Sequence, residues 1–177
     1  RRTETAGRAF SLFTSSLAII ISSTFDVYTT HAVTYIWTLS AGVAGGALVT
    51  LALSFPQELR ITLERPYLRW TGLILGLALV FLTFPNLYNF EKPTAYIRNW
   101  QYIYIFVAVS ALFYIFSNLY HSLYAHSPVV KTQARMILWG TSISFGPLLI
   151  WLLASFIRPL NFSPYLFLPI LLFPLVV

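Results

Sequence analysis

Long apolar runs separated by short polar breaks fill most of the chain. Six runs stand out, covering about residues 9–25, 33–55, 70–84 (up to 90 with the turn that follows), 100–124, 136–157 and 164–177. At about 17 to 25 residues, with the third shorter, they suit helices crossing a hydrocarbon layer about 30 Å thick. The ten-residue polar–apolar alternation of an outer-membrane barrel is absent. The pattern predicts an all-α, polytopic membrane helical bundle, with residues 1–177 as one domain and short breaks that make successive helices antiparallel neighbours.

The stretch from Phe25 to Trp70 shows where one crossing begins and ends. Phe25-Asp26 and His31 precede more than twenty apolar residues, which exit through Phe55-Pro56 onto Arg60, Arg65 and Arg69. Inside that run, Gly42 and Gly46 are four apart, as are Ala41 and Gly45, and the third run carries Gly72 and Gly76. Small residues at this spacing form faces where another helix comes close, either inside the bundle or in a homodimer. In the fourth run, Ser110, Tyr114, Asn118 and His121 form one polar stripe at helical spacing, and Ser11, Ser15, Ser22 and Asp26 form another in the first. Polar stripes in lipid are expected to face the bundle interior. Facing one another, these two would outline an aromatic-walled cavity with a few hydrogen-bonding groups, a place for a small amphipathic ligand or simply for interhelical hydrogen bonds. Pro147 predicts a kink in the fifth run, and Pro164, Pro169 and Pro174 punctuate the sixth.

Composition agrees with lipid as the solvent: 58% of residues are hydrophobic, 9% are charged and the mean hydropathy is +0.74. The net charge of +6 does not indicate nucleic acid, because the cations lie between apolar runs rather than on one folded face. Their placement sets an orientation instead. Arg1, Arg2, Arg8, Arg60, Arg65, Arg69, Lys131 and Arg135 fall on one side, against Lys92, Arg98 and Arg158 on the other. The positive-inside rule then puts the breaks at 56–69 and 125–135, and the exit of the last helix, in the cytoplasm of a cell whose inner membrane holds the chain. Residues 9–25 lack a small-x-small cleavage pattern and read as a retained helix rather than a signal peptide.

There is no cysteine, which excludes disulfides and thiolate chemistry. Asp26 and His31 are a candidate ligand or proton site in the outer turn, and a polar turn with Asp26 capping the next helix is the competing reading. Together with Ser110, Tyr114, Asn118 and His121 they are the candidate ligand-binding residues. No metal site is expected and no cofactor is assigned, with a pigment or haem on His121 or His126 kept as a further option. No phosphate-cradling loop, His-Glu-x-x-His, Gly-x-Ser-x-Gly or intramembrane carboxylate pair occurs, so no enzymatic activity is expected of these residues.

Several short motifs together resemble one group of proteins. Gly7-Arg8-Ala9-Phe10, Phe25-Asp26 with Thr29-Thr30-His31, and Leu51-Ala52-Leu53-Ser54-Phe55-Pro56 are among them. So are Arg65-Pro66-Tyr67-Leu68-Arg69, Gln133-Ala134-Arg135-Met136-Ile137-Leu138-Trp139-Gly140 and Phe145-Gly146-Pro147. The chain resembles the seven-transmembrane N-terminal sensor region of bacterial sensor histidine kinases and related signalling proteins. The resemblance implies a further helix before Arg1, a cytoplasmic effector domain after Val177, and a role as the sensory input of a two-component signalling protein. A structural or assembly subunit of a larger membrane complex, contacting lipid or pigment, is the alternative, and a small-molecule transporter the third.

Overall fold

The computed structural model describes residues 2–88, 91, 93–157, 165 and 168–170, and among these the chain is built of helices without a strand. Helix α1 spans Arg2–Tyr28, α2 Thr34–Ser54, the short α3 Arg60–Glu64, and α4 Leu68–Thr83 with a 3-10 turn over Phe84–Asn86. Helices α5, Pro93–Tyr124, and α6, Pro128–Ile157, follow. Five of the six expected apolar runs are therefore helices where the hydropathy places them. Four segments are long and apolar enough to cross a membrane: Glu4–Val27, Thr34–Ser54, Leu68–Asn86 and Ile97–Tyr124. The sixth run, 164–177, lies largely outside the described residues, as do Arg1, Lys92, Arg158, Pro164 and Pro174.

The helices reach further than the apolar runs do. Helix α5 starts at Pro93 rather than near Trp100, and α6 at Pro128 rather than near Met136. Proline suits a helix start, where its missing N–H has no partner to lose and its φ is already helical. The extra turns carry polar residues such as Arg98, Lys131 and Arg135, so hydropathy alone ends the segments too early. Pro147 sits inside α6 without interrupting it.

Helix α2 is the centre of the bundle, packed against α1, α4 and α5. It holds no charged residue, and most of its side chains are buried all round, as expected of a helix with no polar face. Its small residues set how close its neighbours come. A Cβ on Gly46 would lie 2.7 Å from Leu73 Cα and 2.8 Å from the Gly72 carbonyl oxygen, and one on Gly42 2.9 Å from the Gly76 carbonyl oxygen. The Gly42/Gly46 and Gly72/Gly76 stripes therefore face each other, with backbone on backbone. The Thr50 hydroxyl extends the seam, 2.9 Å from the Arg69 carbonyl oxygen it donates to. These pairings run in opposite order along α2 and α4, so the two helices are antiparallel.

The other small face of α2 receives α5. A Cβ on Gly45 would lie 2.7 Å from the Phe106 ring. Trp37 packs on Trp100 with ring centroids 5.3 Å apart, and the Ser117 hydroxyl donates to the Ala52 carbonyl at 2.6 Å. Here the numbers rise together, so α2 and α5 run parallel. Apolar association contributes little between helices in lipid, and close van der Waals contact of this kind is what holds them. The glycine faces that the sequence offers to a neighbour helix or a second copy are thus filled within the chain. Trp70, Ile74, Leu75, Phe81 and Leu82 of α4 point outward, an apolar surface suited to lipid.

Candidate functional site

The turn between α1 and α2 is organised by Asp26. Its Oδ2 accepts the Val33 N–H at 2.8 Å, and its Oδ1 accepts the Thr30 hydroxyl. Its backbone carbonyl accepts the N–H groups of Thr29 at 3.0 Å and His31 at 2.8 Å. The carboxylate is therefore engaged with the backbone at the entry to α2, much as a helix cap is. His31 is exposed and adopts the left-handed conformation, φ 59°, which costs a non-glycine residue about 1–2 kcal/mol. Its carbonyl accepts the Tyr88 hydroxyl, and Tyr88 packs on Tyr35 at 5.1 Å between centroids. Asp26 and Tyr88 together hold the strained residue in place, so the polar atoms of this turn are largely accounted for by the turn itself.

The α5 stripe faces inward, as its spacing predicts. Ser110, Tyr114, Asn118 and His121 are all buried. Three of them bond back to their own helix. The Ser110 hydroxyl donates to the Phe106 carbonyl at 2.7 Å, and Asn118 Nδ2 donates to the Tyr114 carbonyl at 2.8 Å. His121 Nδ1 lies 2.8 Å from the Ser117 carbonyl. Asn118 is fully buried, and its Oδ1 has no partner. His126 is exposed, and among the described residues no three His, Asp or Glu side chains gather as a metal site would require.

The six candidate residues do not form one site. Asp26 and His31 lie at one end of the bundle, whereas Asn118 and His121 lie near Ala52 at the opposite end. The expected partner stripe is also misplaced. Ser11, Ser15 and Ser22 of α1 are exposed, and the buried residues described on that helix are Ala9, Phe13, Ser16, Leu17, Ile20, Ser23, Thr24 and Val27. A helical serine can bond to a carbonyl one turn earlier, as the Ser22 hydroxyl does to Ile19 at 3.1 Å. For Ser22, facing outward therefore leaves its hydroxyl satisfied, and the rule that polar residues turn inward loses its force there.

The space enclosed by the bundle lies elsewhere. A cavity of about 100 Å³ opens between α1, α2, α5 and α6, with Phe13 and Leu17, Trp37 and Ala44, Tyr104 and Ala108, and Phe145 and Leu149 among its walls. Alanines make the room. Ala41 and Ala44 on α2, and Ala108 and Ala111 on α5, turn small side chains toward the bulky residues of α1 and α6. Their spacing of three is the signal in the sequence that marks this cavity. The lining is almost wholly apolar. The Thr24 hydroxyl is committed to the Ile20 carbonyl at 2.5 Å, whereas the Trp37 indole N–H is buried without an acceptor.

Compared with protein-family models, with curated proteins and with solved structures, the chain finds no match in any of the three.

Proposed function

We propose that this bundle is a membrane-embedded signal-input module, in which occupancy of the central cavity biases how α1 and α6 pack and the last helices pass that change to a cytoplasmic effector. The observation that carries the reading is the cavity itself, walled by four helices including α6. A ligand there shifts the equilibrium between two packings only by its different affinity for each. The resemblance to the sensor region of bacterial histidine kinases points the same way. The reading assigns no catalytic step to these residues.

In this proposal the chain sits in the cytoplasmic membrane with the 56–69 and 125–135 segments inside. Arg60, Arg65 and Arg135 are exposed, on segments that the parallel course of α2 and α5 brings to one end of the bundle. Clustered cations at one end support the positive-inside orientation.

Because the chain has no native cysteine, a Ser15→Cys/Ile143→Cys pair, both exposed positions, can be spin-labelled cleanly. Ala44→Leu fills the cavity without any ligand. The proposal predicts that it shifts the α1–α6 distance distribution by about 1–2 Å, the scale of helix shifts in switching proteins. An unchanged distribution in folded Ala44→Leu protein rules the proposal out.

A further inference from the structure

The central cavity limits its occupant by size and by chemistry. Its volume of about 100 Å³ exceeds the ~30 Å³ share of one water. Benzene places about six non-hydrogen atoms in an apolar cavity of about 150 Å³. At that packing, the space here takes about four atoms and excludes benzene. A bilayer acyl chain is several times too long to enter whole. The walls are hydrocarbon almost throughout, with Phe13, Leu17, Ala44, Leu48, Ala108 and Leu149 among them. The Thr24 hydroxyl is committed to its own helix, and Trp37 offers only ring carbons, because its Nε1 is sealed in the surrounding protein. Water needs two or more polar partners, so the cavity is dry. Left empty, it costs stability, because its wall atoms lack neighbours on one side. An apolar molecule that fits restores those contacts, and no hydrogen bond is needed to hold it.

We infer that the cavity binds a small uncharged apolar molecule of about four non-hydrogen atoms or fewer, a dissolved gas or a short hydrocarbon. Such molecules concentrate in bilayer hydrocarbon, so they reach the bundle from the lipid. This inference deepens the signal-input reading by naming the class of stimulus, and it rests on the same cavity.

Xenon is the probe, because it enters dry apolar cavities. The protein, methyl-labelled at Ala and Leu, is held in phosphatidylcholine nanodiscs and followed by NMR as xenon pressure rises. The Leu17, Ala44, Ala108 and Leu149 methyl signals are expected to shift and saturate. Those of Leu75 and Leu82, which are exposed, are expected to drift in proportion to pressure. Ala44→Leu fills the space with its own side chain. It is expected to weaken xenon binding about tenfold or more, with the Leu75 and Leu82 signals in place to show an intact fold. Benzene is expected to leave the cavity methyls of the unaltered protein unshifted. Shifts that grow alike at cavity and exposed methyls show xenon merely dissolved in the bilayer and overturn the site. Saturation that survives Ala44→Leu places the binding elsewhere and overturns it too. So do contacts from lipid chain-end methyls to Ala44 without a xenon response, which show an acyl chain already in the space. Benzene binding to the unaltered protein overturns the size limit. The spin-label distances in Ala44→Leu need no ligand, so they decide the signal-input reading separately from all of these outcomes.

Discussion

At Gly46 an added methyl group would meet backbone atoms of Leu73 and Gly72 at 2.7 to 2.9 Å, and backbone cannot turn aside as a side chain can. Gly46→Ala is therefore expected to destabilise the protein by about 1–3 kcal/mol, measured by denaturant or thermal unfolding in detergent. Gly45→Ala meets the Phe106 ring, which can tilt, so its loss should be smaller. Gly7 and Gly146 have nothing within 4 Å of an added Cβ, and alanine there should cost no stability. The four substitutions carry the same chemistry, so a uniform response would contradict the described packing. At the α1–α2 turn, Asp26→Ala removes the acceptor for the Val33 N–H. The expected loss is about 0.5–2 kcal/mol, as for a helix cap, with faster amide exchange at Val33. The glycine faces were legible in the sequence because small residues four apart form a face that another helix can approach closely. The serine stripe of α1 misled because a helical serine can satisfy its hydroxyl on its own helix, as Ser22 does.

Among the elements, hydropathy locates the apolar helices but not where each one stops. Helices α5 and α6 begin at Pro93 and Pro128 and carry polar turns ahead of their apolar runs, so proline was the better boundary signal. The short α3 escaped the sequence reading because five residues show no periodicity. Around it the 55–67 segment folds back on the bundle. The Leu59 N–H donates to the Leu53 carbonyl at 3.1 Å, and Arg69 Nη2 pairs with Glu58 Oε1 at 3.0 Å. Nothing local in the sequence announces that pair, whose partners are eleven positions apart on different segments. The Glu58 side chain is only 5% exposed and that of Arg69 25%, so breaking the pair strands a largely buried charge. Glu58→Gln is expected to cost about 1–3 kcal/mol, discounted for the partial exposure of Arg69. A double-mutant cycle with Arg69→Gln checks it, since a coupling energy near zero would show the pair to be idle.

For the molecule as a whole, the sequence carried the all-helical class of fold. It did not carry which faces meet. That depends on α2 and α5 running parallel although they are not consecutive, an arrangement set by Gly45 against Phe106 and Ser117 against Ala52. The cavity follows from this arrangement, because it brings the alanines of both helices opposite the bulky side chains of α1 and α6. The orientation of the bundle in the membrane underlies the proposal that its inner end addresses an effector. It is tested most directly with single cysteines at Ala32 in the α1–α2 turn and Gln133 near the start of α6, both exposed. Intact cells are treated with a membrane-impermeant maleimide. Ala32→Cys is predicted to react at once, and Gln133→Cys only after the cells are permeabilised. Labelling of Gln133→Cys from outside, with Ala32→Cys protected, would contradict the account.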